Sequence, residues 1–275
     1  IAKRYKIPVY HMEAGNRSFD FDVPEEINRR VIDHVADFNL VYTENSRRHL
    51  ISEGLSQRRI YLTGSPMFEV LNHYNQNIAE SSILDNLKLS AQKYFCLSVH
   101  REENVDNINN LKKIFSSMDK LLNEYNIPLI ISMHPRTKKQ LDAIGNIKSN
   151  TLFHFHKPFG FFDYIKLQKN SLCTISDSGT ISEESSILDF PAVTIRNSME
   201  RPEAIDSGSI ILTSLHEDII IGSIKLAIEE KQKKYPKSIP TEYQINNTSL
   251  RVLKLIIGTS KLSNKWWGID RNILY

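Results

Sequence analysis

Cysteine is scarce in this chain: its two thiols, Cys96 and Cys173, each sit inside an apolar run, "YFCLSV" and "SLCTI". A thiol in such a run behaves as a small hydrophobe. A disulfide framework is therefore not expected, which fits a reducing cytoplasm. Long hydrophobic runs are missing too. No uninterrupted apolar stretch approaches the roughly 20 residues that cross a bilayer, and no charged-then-apolar leader opens the chain. The expectation is a soluble, cytoplasmic protein with no membrane partner. Excess charge is also absent: 35 Lys plus Arg against 32 Asp plus Glu leave a formal +3. That is too little to make nucleic acid the main partner, so any basic site is local. No GxGxxG follows a strand-like run and no Walker A motif occurs, which argues against a dinucleotide or P-loop site. Internal repeats and low-complexity tracts are likewise missing.

What the chain does have is alternation. The runs "IPVYHM", "FNLVYT", "RIYLTG", "YFCLSVH", "PLIISMH", "TLFHFH", "SLCTIS", "FPAVTI" and "SIILTS" are β-branched or aromatic, with helical stretches between them. This is the pattern of βαβ units and an α/β fold with parallel sheets covered on both faces, and the strands are apolar throughout as double burial requires. In "DVPEEINRRVIDHVADF", Asp22 and Glu25 have capping-box spacing, Pro24 suits a first turn, and Ile27, Val31 and Val35 form an apolar stripe. In "NINNLKKIFSSMDKLLNEYN", Leu111, Ile114, Phe115, Met118, Leu121 and Leu122 share one face. Both read as surface helices packed on a sheet.

With 40% hydrophobic and 24% charged residues, 275 residues are long for one domain and comfortable for two. The polar stretch "SSILDNLKLSAQK" is the best hinge. The expected division is a first unit over 1–88, a second over 89–258, and a tail over 259–275 that carries both tryptophans and crosses back. The opening Ile and the lines "IAKRYKIPVYHMEAG", which read as a helix end leading into a strand, suggest that an N-terminal portion precedes this sequence.

Ligands of open parallel sheets bind outside the carboxyl ends of the strands. After "SLCTI" comes "SDSGTISEE". Ser178, Gly179 and Thr180 are expected in the first turn of a helix, where unpaired amides and the dipole favour a phosphate, and Glu184 is placed to reach a ribose. The same stretch also reads as an ordinary N-cap with solvated acids. "HMEAGNRSFDFDVPEEINRR" offers Glu13 at a strand end and Glu25 in a first turn, two carboxylates suited to acid and base roles. Glu26 and Arg30 read as a surface i, i+4 pair. His100 and Arg101 stand at the tip of "SVHREEN", a proton shuttle and a phosphate holder. His134 repeats the arrangement in "SMHPRT". His154 and His156 share a face but lack a third ligand, so they read as packing residues and no metal is expected. Arg201, in "MERPEA", is positioned to close on a phosphate.

Taken together, "HMEAGNR…VPEEINRR", "TGSPMFEV", "VHREEN", "HPRT", "SDSGTISEE" and "ERPEA" resemble the non-hydrolysing UDP-N-acetylglucosamine 2-epimerase family, from about Tyr10 to Gly258. The resemblance implies the glycosyltransferase-B fold: two Rossmann-like domains with a nucleotide-sugar in the cleft between them, the first domain incomplete in this chain and residues 1–275 alone inactive. It implies inversion at C2 of a UDP-linked 2-acetamido sugar without NAD or metal, by elimination of UDP to a 2-acetamidoglycal and re-addition. It also implies a UDP-N-acetylhexosamine as substrate partner, no cofactor, and a homodimer. Glu13, Glu25 and His100 match the family's catalytic positions. Ser178 and Gly179 match its phosphate contacts, Glu184 its ribose contact, Tyr164 its aromatic against uracil and Arg201 its phosphate arginine. Thr180 departs from the family's second glycine and adds a side chain at a crowded point. "EAGNR" and "GSPM" resemble the branch acting on UDP-2-acetamido-2,6-dideoxy-L-talose and UDP-N-acetyl-L-fucosamine in capsule or O-antigen synthesis. A UDP-sugar-dependent glycosyltransferase on the same fold, and a UDP-sugar-binding regulatory module, are the competing readings.

Overall fold

The computed structural model describes residues 1–21, 24–144 and 150–269. The contacts divide the chain into two compact units, Ile1–Asn72 with Ser198–Arg201 and Pro240–Tyr275, and His73–Asn197 with Pro202–Ile239. Each carries its own all-parallel sheet.

Unit one is built on β1 (Tyr10–Ala14), β2 (Phe38–Val41) and β3 (Ile60–Leu62), ordered β1-β2-β3. Ala14, Val41, Leu50 and Ile60 form its small core. The helix Glu44–Ser52 opens on Thr43, whose hydroxyl oxygen accepts from the Ser46 amide. The C-terminal segment belongs to this unit by packing: Tyr10 stacks on Phe38 at 4.7 Å, Trp266 meets Phe38 edge-on, and the Tyr10 hydroxyl shares a 2.7 Å hydrogen bond with Thr259.

The helix Pro24–Val35 follows β1 but does not bury its apolar stripe. Ile27, Val31 and Val35 are half exposed, whereas Glu26 and Asp33 are fully buried. The face turned inward is polar because it serves an ion network. Glu26 accepts from the Ser18 amide at 2.8 Å and from Arg30, so that pair is no surface ornament. Asp33 accepts from His11, from the Gly15 amide and, at 2.7 Å, from the buried Arg17, which in turn forks onto both oxygens of Glu53 at 2.8 Å. Asp22, half of the expected capping box, lies outside the described residues.

Unit two has six strands: β4 (Phe95–Ser98), β5 (Leu129–Ser132), β6 (Phe153–His156), β7 (Thr174–Ser176), β8 (Ala192–Ile195) and β9 (Ile211–Thr213). Their spatial order is β6-β5-β4-β7-β8-β9. Side chains alternate between two dry layers, which explains the unbroken apolar runs. Phe95, Leu97, Leu129, Ile131, Ile175 and Val193 join one cluster with the buried face of the helix Ile108–Tyr125. Cys96 and Ile130 join the other with Tyr94 and Leu167. That helix buries the six apolar residues its spacing predicts; Asn107 caps its start by accepting from the Asn109 and Asn110 amides, and Asn126 ends it in the left-handed region. The segment read as a hinge is not a bare linker: Ile83 is buried in the second cluster, with Leu84, Leu87 and Leu89 packed against it.

Candidate functional site

In unit two the chain runs from β4 outward through β5 and β6, then returns to place β7 on the other side of β4. Connections leave a sheet in opposite directions at such a switch point, so a crevice opens at the strands' carboxyl ends. The residues there are Val99–Arg101 after β4, Asp177–Thr180 after β7, and Arg196 after β8. The sheet stays paired up to this rim, with Ser98 opposite Ser176 and the Asp177 amide donating to the Ser98 carbonyl.

Asp177 organises the rim. Its carboxylate is fully buried and accepts from the His100 amide at 3.1 Å, the Arg101 amide at 3.0 Å and the Asn104 amide side chain at 3.1 Å. His100 Nδ1 lies 3.1 Å from the same carboxylate. Burial by itself would push the carboxyl up; the hydrogen bonds and charge of His100, with those of Asn104 and the Arg101 amide, outweigh it and hold the group below its ordinary range. Arg101 Nε returns to the Asp177 carbonyl at 3.0 Å, and Asn104 also ties into the Ile195 carbonyl, so three strand ends are joined.

Gly179 lies among cations. A Cβ built there would stand 3.6 Å from Arg101 Nη2 and 4.0 Å from Arg196 Nη1, and Arg196 is almost completely buried. Guanidinium groups beside bare backbone suit a phosphate, which both can meet with paired donors. Ser178, Gly179 and Thr180 form a turn before the helix and not its first turn: Ser178 Oγ pairs with the Thr180 hydroxyl and accepts weakly from its amide, and helical bonding begins where the Thr180 carbonyl accepts from Glu183 and Glu184. The helix runs Ile181–Leu188 with no side chain capping it. Glu184 is nearly buried on that helix and accepts from Gln168 at 2.9 Å. Tyr164, on the helix Phe161–Asn170, packs into the second cluster, and burial drives its phenol well above the usual range, beside Cys96 and Ser98. His134 is exposed, and its Nδ1 accepts from the Arg136 amide at the start of a helix.

The other candidates stand in unit one. Glu13 sits at a register shift in β1, with φ of +64°, a left-handed conformation that costs a non-glycine residue about 1 kcal/mol or more. Gly15 beside it has φ of +79°, and a Cβ there would fall 2.3 Å from the Ser46 carbonyl oxygen, so only glycine fits. Glu13 accepts from Asn16 at 3.1 Å and pairs with Arg201, whose guanidinium lies over the Tyr42 ring. Glu25 is exposed in the first turn of its helix. The fold thus joins Glu13 to Arg201, and His100, Arg101, Ser178, Gly179 and Thr180 to one another. His154 is exposed, and among the described residues no three His, Cys, Asp or Glu side chains form a metal-holding group.

Three contributors were not singled out by sequence reading: Asp177, Asn104 and Arg196. Each signal was present, as the first polar residue after "SLCTIS", the last of "VHREEN" and the residue ending "FPAVTIR". What was missing was the knowledge that β4, β7 and β8 are neighbours.

A family model described as UDP-N-acetylglucosamine 2-epimerase matches residues 1–257. A UDP-N-acetylglucosamine 2-epimerase of Methanocaldococcus jannaschii is 34% identical over 239 residues, 84% of this chain and 65% of that protein, so the chain spans just under two thirds of that relative. A solved structure of the enzyme from Rickettsia bellii superposes with a TM-score of 0.88 at 40% identity, covering 97% of this chain and 72% of that one. The structure of the Methanocaldococcus jannaschii enzyme in complex with UDP-GlcNAc and UDP gives 0.86 at 30% identity, covering 94% and 71%. A UDP-2,3-diacetamido-2,3-dideoxy-D-glucuronate 2-epimerase of Pseudomonas aeruginosa is 28% identical over 232 residues, 82% of this chain and 62% of that protein. A family model spanning nearly the whole sequence, on an α/β fold of parallel sheets shared with these structures, places the chain in the UDP-N-acetylglucosamine 2-epimerase family.

Proposed function

We propose that the whole protein inverts C2 of a UDP-linked 2-acetamido sugar by eliminating UDP and adding it back. The observation that carries this reading is the convergence of Arg101 and Arg196 on Gly179 at the switch point of unit two, with His100 held on the neighbouring Asp177. Bare backbone at Gly179, the hydroxyls of Ser178 and Thr180 and the two guanidinium groups receive the diphosphate; Glu184 serves the ribose and Tyr164 the uracil side. Breaking the C1–O bond leaves negative charge on UDP, which these cations stabilise as it forms. The C2 proton leaves to a carboxylate as the glycal double bond forms, and a proton returns to the opposite face before UDP re-attacks C1. Glu13 and Glu25 take the acid and base roles, His100 assists at the departing phosphate, and Arg201 holds Glu13 until a phosphate competes for it.

The sugar is either the GlcNAc/ManNAc pair or the 6-deoxy-L-talose/L-fucosamine pair, and the reading places the enzyme in capsule or O-antigen synthesis, as a cytoplasmic homodimer. Relatives named for different UDP-2-acetamido sugars support breadth in the sugar within the family. The two buried free cysteines support a reducing compartment.

The deciding experiment incubates the whole protein with UDP-GlcNAc, and separately with the L-talose analogue, in heavy water. Deuterium at C2 of one recovered sugar is expected. Its absence from both overturns the reading, and UDP release that needs an added acceptor points instead to a glycosyltransferase.

A further inference from the structure

Asp177 is buried under the rim of the nucleotide site and spends its carboxylate on His100 and Arg101, both through backbone amides, and on His100 again through the ring. An ionised carboxylate only accepts, so the ring nitrogen facing it carries the proton; a neutral imidazole has one N–H, and Nε2 is left with a lone pair. The two backbone bonds fix the turn from which both side chains project, and Arg101 Nε closes the loop on the Asp177 carbonyl. Asn104 braces the carboxylate from below and anchors it to β8 through the Ile195 carbonyl.

We propose that Asp177 is the positioning residue of this site: it holds His100 in the Nδ1–H tautomer with Nε2 turned outward as a proton acceptor, and sets the 100–101 turn that brings the Arg101 guanidinium beside Gly179. This rests on the reading in which His100 and Arg101 serve a UDP-sugar. The role of His100 then depends on a residue that touches no substrate. A proton arriving at Nε2 gives an imidazolium whose new charge is balanced across the Nδ1–H bond by the carboxylate, with no group displaced.

The test reads the tautomer directly. Long-range nitrogen–proton correlation spectra of the whole protein, recorded at alkaline pH, are expected to show His100 with Nδ1 protonated and Nε2 bare. The Nε2–H form in the wild-type chain overturns the proposal, whatever any variant does. Asp177→Asn is expected to shift His100 toward a tautomer mixture and to weaken UDP binding by about tenfold or more in calorimetry. Asn104→Ala, which removes a bond to the same carboxylate without touching the imidazole, is expected to lower the melting temperature but keep the tautomer. Unchanged tautomer and UDP affinity in a folded Asp177→Asn protein also overturn it. If the wild-type whole protein shows the expected tautomer yet binds no UDP, the nucleotide reading fails and the positioning role stands.

Discussion

Gly179 separates stability from binding. Its φ is not in the left-handed region, and an added methyl would meet Arg101 and Arg196 only at ordinary contact distance. Gly179→Ala is therefore expected to change stability by less than about 0.5 kcal/mol. The same methyl occupies the space the proposed function gives to a phosphate oxygen between the two guanidinium groups, so on that reading UDP affinity should fall by about tenfold or more, one lost charge-assisted contact. Chemical denaturation beside calorimetry checks both halves, and an unchanged affinity removes Gly179 from the site. Glu13 shows the opposite case, a residue kept in a backbone conformation that costs it energy. That strain was not legible, because "HMEAG" reads as a plain strand end; it arises only where β1 slips register against β2. The place of His100 and Arg101 was legible, since polar residues after an apolar run in a parallel sheet stand at the strand's carboxyl end.

At the scale of elements, the helix Pro24–Val35 shows where periodicity misleads. The i, i+4, i+8 spacing of Ile27, Val31 and Val35 is real, but the face turned inward carries Glu26 and Asp33. Apolar spacing identifies a helix; it does not say that the apolar face wins the core when a buried arginine elsewhere demands carboxylates. The ion network has a pH signature. Glu53 is lowered from 4.5 to about 2, first by its hydrogen bonds from Arg17, against burial, and further by the charge of Arg17, by His34 and by Arg30. Its folded pKa lies below its unfolded one, so the unfolded chain takes up the proton first as pH falls. The stabilisation is complete above about pH 4.5 and drains away toward about pH 2. Wild type should lose urea resistance across that window more steeply than Glu53→Gln, whose curve lacks this contribution; parallel curves would contradict the assignment.

For the molecule as a whole, neither unit is continuous in sequence: Ser198–Arg201 and Pro240–Tyr275 return to unit one. The C-terminal return packs through its aromatics, Trp266 on Phe38 and Trp267 under Arg59 at 3.7 Å, and through the Thr259 hydroxyl on that of Tyr10. In unit two the proposed diphosphate and ribose contacts come from three separated stretches. Hydrogen exchange with and without UDP should accordingly protect amides in 98–104, 176–184 and around 196, three patches in sequence and one rim in space. Protection confined to one of them, or absent from all, would remove the switch-point site.

The sequence by itself determined the α/β class, the nine strands among the described residues, the helix Ile108–Tyr125 and the identity of the polar strand ends, because periodicity and the rule about carboxyl ends act over a few neighbouring residues. Tertiary structure decided which strand ends meet, that Asp177 lies beneath His100, and that the helix after β1 turns its acids inward. The first two depend on residues 77 and 91 positions apart, His100 with Asp177 and Asn104 with Ile195, and the third on Arg17 meeting Asp33 and Glu53, 16 and 36 positions away; these pairings are fixed by sheet order and by the cost of burying an uncompensated charge.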